Sequence, residues 1–202
     1  QPSAIPGDVK FVDNNGLDSL GNETSQPDGI INEADKTFIG SPHPDWTFGA
    51  TINLEYKNFD FSMFIQGVTG NEIYNGVHRT DLVSNNKPVK FYEDRWTPDN
   101  KTNDWFRATY EDANRNFRPS DFFIEDGSYV RLKNIQLGYS IPLRYLQKAK
   151  MRKLRIYISA QNLFTLTKYS GMDPEIGETA GARSIGVDRG FYPASGIIMG
   201  GL

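Results

Sequence analysis

TFGATINLEYKNFDFSMFIQG, residues 47 to 67, alternates apolar and polar side chains on both sides of a Lys57-Asn58 break. Phe48, Ala50, Ile52, Leu54 and Tyr56 fall on one face of the first run, and Thr47, Thr51, Asn53, Glu55 and Lys57 on the other. After the break the phase restarts, with Phe59, Phe61, Met63 and Ile65 opposite Asp60, Ser62 and Gln66. A period of two marks extended strands, because successive strand side chains point to opposite faces, whereas a helix repeats its apolar positions every three or four residues. Two such runs joined by two polar residues predict a tight hairpin.

The same period recurs further along. Residues 129 to 141 set Ile135, Leu137, Tyr139 and Ile141 against Asn134, Gln136, Gly138 and Ser140, while Val130 and Leu132 stand in the opposite phase and predict a bulge near Lys133. Residues 153 to 164 set Leu154, Ile156, Ile158 and Ala160 against Arg155, Tyr157, Ser159 and Gln161. Between them PLRYLQKAKMRK is a basic connector with room for one helical turn, and the Gly-rich residues 194 to 202 form a fifth, weaker candidate. The expected fold class is all-β, with strands at about 47–57, 59–67, 129–141, 153–164 and 194–202. Runs of about 10 residues exceed the usual soluble strand of about 5 or 6 and reach the length that crosses a bilayer. Aromatic residues at strand ends, Phe48 at one and Tyr56 with Phe59 at the other, suit interfacial girdles.

Connections alternate in length. The links at 57–58 and 142–152 are short, and those at 1–46, 68–128 and 165–193 are long, as periplasmic turns alternate with extracellular loops in outer-membrane barrels. This divides the chain into an extracellular loop, 1–46, and barrel strands with long loops, 47–202. Antiparallel strands of this kind would be part of a large transmembrane β-barrel, since five cannot close one. A soluble extracellular β-sandwich that binds carbohydrate or a partner protein has the same periodicity and stands as the alternative.

Composition narrows the function. The 202 residues carry a net charge of -3 and a pI near 5.4, with no basic footprint for nucleic acid. The chain has no cysteine, so disulfides, thiolate metal sites and a Cys nucleophile are excluded. No apolar run is long enough for a membrane helix, although a β-strand would escape that scan. No GxSxG and no isolated carboxylate pair is present, so no enzyme is expected. His43, in SPHPDW, and His78 lack partners at ligand spacing and are expected at solvent, and GETAGARSIGVDRG, residues 177 to 190, reads as a mobile loop.

Longer words carry a resemblance. GDVKFVDNNG, then DGIINEADKTFIGSPHPDWTFGATINLEYKNFDFSMFIQGVTGNEIYN, FIEDGSYVRLKNIQLGYSIP and LRIYISAQNLFTLTKYSGMDPEIG resemble, in order, the late portion of SusC/RagA-family TonB-dependent outer-membrane transporters. That resemblance implies a barrel of about 22 strands around an N-terminal plug. It also implies a location in the outer membrane of a Gram-negative bacterium with extracellular loops, a SusD-like surface lipoprotein over the mouth, and import of oligosaccharides or peptides. Energy would come from the TonB complex through an N-terminal region this chain does not hold. Contact with outer-membrane lipid is implied, and none with nucleic acid. Asn53, Glu55, Gln66, Gln136 and Gln161 would face the lumen. The ending PASGIIMGGL departs from the family's aromatic-terminated last strand, so a missing final segment is expected.

The family's loop Asp-x-Asn-Gly-Asp-Gly-x-Ile-x-x-x-Asp is similar to calcium loops of the EF-hand type, in which oxygen ligands come from positions 1, 3, 5 and 12 and a backbone carbonyl from position 7. Asp13 and Asn15 match positions 1 and 3, and Asp28, Ile30 and Asp35 match 5, 7 and 12, with Gly29 at the bend. These five are the candidate ligands for Ca2+, the one cofactor considered. Between Gly16 and Asp28 lie eleven further residues, LDSLGNETSQP. Loop closure tolerates such an insertion, since each doubling of length costs only about 0.6 kcal/mol, but the split equally suits a metal-free acidic turn. Tyr92, Trp96 and Trp105, among amides and carboxylates, are candidates for substrate or partner contact, because aromatic faces stack on sugar CH groups. The same rings would also pack a long loop.

Overall fold

The hairpin predicted from residues 47 to 67 is present in the computed structural model: β1 (Trp46–Tyr56) and β2 (Phe59–Thr69) pair antiparallel from Tyr56 opposite Phe59 to Trp46 opposite Thr69. Lys57 closes the turn at φ 56°, the left-handed backbone a two-residue hairpin demands. Next in the chain come β3 (Glu72–Asn75), α1 (Val89–Asp94), β4 (Ile124–Asp126), β5 (Tyr129–Ser140), α2 (Leu143–Leu146), β6 (Arg155–Thr167), β7 (Val187–Asp188) and β8 (Ile197–Gly201). The structure describes the chain apart from residue 2 and residues 79–88, 148–149 and 177–184. Most of the mobile loop expected at 177–190 therefore lies outside the described residues.

The long strands form one five-stranded sheet in the order β1-β2-β5-β6-β8, with every pair antiparallel and β1 and β8 at its edges. Its register explains the sequence pattern. Ile52, Met63, Ile135, Ala160 and Ile198 stand in one row across all five strands, and Leu54, Phe61, Leu137, Ile158 and Gly200 in another. A slip of one residue in any strand would throw its apolar set to the wrong side, so the alternation itself fixes the register. Lys133 is skipped in the pairing with both neighbours, and this bulge returns Val130 and Leu132 to the apolar side, opposite Gly67 and Ile65.

Boundaries differ where the pattern breaks. β6 runs to Thr167, beyond the expected 164: Asn162, at φ 49°, and Leu163 are passed over opposite Lys133, and the alternation then resumes in the same phase with Phe164 opposite Leu132. The fifth strand starts at Ile197 instead of 194. The expected long loops also hold structure of their own: β4, β3 and β7 make a small second sheet, in which β3 and β7 are parallel. Strands of two to four residues are too short to display a period.

Contacts divide the chain into two compact units, one of Gln1–Ile39 with His78–Phe123 and one of Gly40–Val77 with Ile124–Leu202. The second holds both sheets. The first has an aromatic core in which Phe91, Trp105, Phe106 and Phe123 are buried and Phe117 and Phe122 join them edge-on or tilted. It also buries amides: Asn114 donates to the Val9 carbonyl at 2.9 Å and to Asn116 Oδ1 at 2.7 Å, tying two distant stretches together.

Candidate functional site

The five-stranded sheet has two chemically distinct faces. The apolar one is largely open: Leu54 is 60% exposed, Ile158 56% and Ile198 70%, while the small Ala160 among them is buried. A continuous apolar surface of this kind marks a place that meets something other than water. The opposite face carries Asn53, Ser62, Gln136 and Ser159 in one row and Glu55, Asp60, Gly138 and Tyr157 in the next. The residues expected in a lumen, Asn53, Glu55, Gln66, Gln136 and Gln161, all share it.

Two ion-pair groups organise this polar face. Arg155 on β6 reaches across β5 to Asp60 on β2, with Nε to Oδ1 at 2.9 Å. It can do so because Gly138 lies between them: a Cβ there would sit 2.5 Å from Asp60 Oδ1 and collide with the guanidinium. Near the other end of the strands Arg131, 3% exposed, bonds Asp173, Glu175 Oε2 at 2.7 Å and Thr165 Oγ1 at 2.8 Å, beside the Tyr129 ring. Lys133 adds a bond to Glu175 at 2.6 Å. Burial alone would raise the Asp173 carboxyl, but the Arg131 guanidinium and the amides of Glu175 and Ala194 outweigh it and hold it below the usual carboxylate value. The pattern in β5 marks Arg131 as polar-facing, but its partners 42 and 44 residues away were invisible to local reasoning.

Beyond the sheet, Tyr169 donates to Asp188 Oδ2 at 2.6 Å, and both are buried. Burial, then the hydrogen bond and charge of Asp188, push the phenol well above its ordinary value. Asp188 also accepts the amides of Gly190 and Phe191, so β7 is pinned by its own side chain.

In the other unit the candidate calcium ligands are occupied by the backbone. Asp13 accepts the amides of Asp28 at 3.2 Å and Gly29 at 2.6 Å, which brings the two halves of the split motif together. Asn15 accepts the Ser25 amide at 2.6 Å, and Asp28 accepts that of Ile30 at 2.8 Å. Asp35 takes three, from Asn14 at 2.9 Å, Asn15 at 3.1 Å and Asn32 at 2.7 Å, and forms a capping box with Asn32 on the turn Glu33–Asp35. The Asn32 amide foremost, with those of Asn15 and Asn14, holds the Asp35 carboxyl below its ordinary value against the opposing effect of burial.

The insertion closes on itself. Leu17 bridges Glu23, Asp18 accepts the amides of Leu20 and Asn22 at 2.8 Å each, and Thr24 donates its amide to Gly16 at 2.9 Å. Among the described residues no group of three or more His, Asp or Glu converges so that it could hold a metal ion. The carboxylates of Asp13, Asp28 and Asp35 each accept backbone amides, so the loop is ordered by its own hydrogen bonds.

The aromatic candidates separate. Trp105, 7% exposed, is core: Phe91 meets it edge-on at 5.9 Å and Phe122 at 5.6 Å. Trp96 is half-buried and covers Gly7, whose positive φ of 91° and lack of a Cβ admit the ring. Tyr92 is exposed, with the Arg95 guanidinium 5.8 Å from its ring centre. His43 is exposed as expected, but His78 is half-buried with its ring 5.1 Å from Trp105. Its pairing depends on a core that the sequence does not display.

Fold and faces together define an all-β, antiparallel chain whose main sheet is apolar on one side and ion-paired on the other. The chain is 36% identical over 205 residues to TonB-dependent receptor P26 of Formosa agariphila, covering 98% of this chain and 19% of that protein. It is 39% identical over 173 residues to TonB-dependent receptor P3 of the same organism, and 31% identical over 204 residues to TonB-dependent receptor SusC of Bacteroides thetaiotaomicron. Those two matches cover 82% and 98% of this chain, and 17% of each relative. Among solved structures, the RagAB peptide importer in its open-open state superposes with a TM-score of 0.65 at 25% identity, over 90% of this chain and 19% of that one. No family model matches the chain. The chain belongs to the SusC/RagA family of TonB-dependent receptors, a family of receptors and not of enzymes, and spans about a fifth of the relatives' length.

Proposed function

We propose that the chain supplies wall strands and surface loops to an outer-membrane transporter, one that imports oligosaccharides or peptides with a SusD-like lipoprotein and draws on TonB. The observation that carries this reading is the apolar row running unbroken through β1, β2, β5, β6 and β8. A soluble sandwich would bury such a face against a second sheet, whereas here Leu54 and Ile158 are more than half exposed. Strands of 11 to 13 residues in β1, β2, β5 and β6 are long enough to span a bilayer even when tilted. Open edges at β1 and β8 suit further strands on either side. In this reading the turn at Lys57 and the α2 connector lie on the periplasmic side, and the long segments face outward with the partner lipoprotein. No helix among the described residues is long and apolar enough to cross a membrane.

Placing Lys at Ile135, in the middle of β5 on the apolar face, tests the lipid contact in the receptor that carries these residues. A lysine facing the bilayer midplane costs about 2–4 kcal/mol, so the variant should lose most of its heat-modifiable, outer-membrane-folded form, while Gln136→Lys on the polar face keeps it. Equal folding of the two variants would sink the membrane reading. Transport is tested separately by comparing uptake of labelled oligosaccharides and of labelled peptides in cells with and without the receptor.

A further inference from the structure

Within the unit of Gln1–Ile39 and His78–Phe123 lies a cleft of about 750 Å3, lined by both polar and apolar side chains. One of its lining residues, Ser120, is 8% exposed, and its hydroxyl has no hydrogen-bond partner. Buried hydroxyls almost always find a partner, so one without it in a residue that lines a cleft leaves a hydrogen bond open to a molecule bound there.

The charges around the cleft indicate what kind. Lys10 and Arg115 line it, and among the described residues neither side chain has a hydrogen bond or ion pair. Arg118 is held at its rear by the carbonyls of Arg115 at 3.3 Å and Asn114 at 3.2 Å, with its guanidinium over the Phe11 ring at 4.4 Å. Burial, then the repulsion of Arg115, lower its proton affinity, against the opposing attraction of Asp112 and Asp35. Of the acids on the lining, Glu33 pairs with Lys36, and Asp35 receives three backbone amides and keeps its charge, which acts on Arg118. The lining therefore carries four cations, Lys10, Lys36, Arg115 and Arg118, against three acids, Glu33, Asp35 and Asp121, and among the described residues Lys10 and Arg115 are exposed cations without an ion pair.

We propose that this cleft binds an organic carboxylate, with Arg115 and Lys10 meeting its charge, Ser120 donating a hydrogen bond, and Phe11 with Ile31 receiving its apolar body. A monoanion suits the site better than a dianion, because Asp121 repels a second charge. A planar carboxylate also matches the parallel donors of a free guanidinium. The site is made by residues of this unit alone and does not rest on the transport reading.

The test uses the intact receptor in detergent, with benzoate as probe and benzamide as its uncharged counterpart titrated by saturation-transfer NMR, and inorganic sulfate, a bare anion without protons, read by its displacement of the benzoate signal. Benzoate should bind saturably and benzamide and sulfate much more weakly. Arg115→Gln and Ser120→Ala should each weaken benzoate about tenfold, the change expected from losing one charge-assisted hydrogen bond, while Lys101→Gln, outside the cleft, changes nothing. A Ser120 with only a structural role would leave affinity untouched when replaced by Ala, and that result overturns the site. So does absence of saturable benzoate binding, or binding of benzamide or sulfate as tight as benzoate. Should either variant misfold, protection of Arg115 from phenylglyoxal by benzoate in the unaltered receptor reads the same contact: protection supports the site and none overturns it.

Discussion

Asp173→Asn is the sharpest probe of how the polar face of the sheet holds the segment after β6. The substitution keeps the shape and removes the charge that Arg131 pairs with inside the protein, where Arg131 and Asp173 are 3% and 7% exposed. Removing one member of a buried ion pair typically costs about 3–5 kcal/mol, because the other charge is left without compensation. Here Glu175 still holds Arg131 at 2.7 Å and Asn keeps one acceptor for the amides of Glu175 and Ala194, so about 2–3 kcal/mol is expected. Every 1.4 kcal/mol is tenfold, and the loss translates into amide exchange about 30 to 150 times faster in peptides covering residues 168–176 and 193–196. Hydrogen exchange on the receptor in detergent reads this directly, and strand peptides of β5 provide the unchanged reference. Glu175→Gln should have a smaller effect, since that side chain is 36% exposed and screened. The carboxyl of Asp173 lies below its ordinary value of 3.8 in the fold, so its contribution is full above that value and disappears as pH falls through the depressed one. Exchange in Asp173→Asn within threefold of the parent at neutral pH would refute the reasoning.

Three further outcomes are expected. Gly138→Ala forces a methyl into the space through which Arg155 reaches Asp60 and should cost about 1–3 kcal/mol, as overfilled space does, whereas Gly200→Ala, with only a carbonyl at 3.7 Å, should be neutral in urea unfolding. Tyr169→Phe removes a hydrogen bond to a buried carboxylate and should cost about 1.5–3 kcal/mol; because the folded phenol keeps its proton beyond the ordinary value of 10, the stability it lends is complete below about pH 10 and lost above it. Asp35→Asn should speed exchange of the Asn14, Asn15 and Asn32 amides that the carboxylate holds, while millimolar calcium gives no saturable heat, and a saturable calcium isotherm would establish a metal at this loop.

The main sheet was legible because each strand has a solvent-independent signature. Residues 47 to 67 state the period, the turn and, through the period, the register, and even the bulge at Lys133 shows as a phase error in the sequence. The extension of β6 to Thr167 was not legible for the converse reason: Asn162 puts a polar residue where an apolar one was due, and a pattern interrupted in this way reads as an ending. Short elements such as β7, with two residues, have no period at all, and β3 finds it as a parallel partner only through the return of a chain segment more than a hundred residues later.

The loop unit exposes a different limit. Its order comes from contacts of very long separation, such as Gln1 to Asn114 and Asp8 to Arg107 at 2.7 Å each, and nothing local announces that Trp105 will be core where Tyr92 stays exposed. The split acidic motif shows how far spacing alone can carry. Its matched positions do converge, with Asp13 reaching the Asp28 and Gly29 amides across the insertion, so the spacing correctly says that the halves belong together. What it cannot say is what the oxygens will bind. An insertion that satisfies itself, through the Leu17 and Glu23 bridge and the Asp18 turn, leaves the flanks as close as a short loop would, and the peptide amides so gathered are donors for the same carboxylates that a cation would need. The backbone competes with the metal for one set of lone pairs, and in this fold it has already taken a share from every one of the three acids.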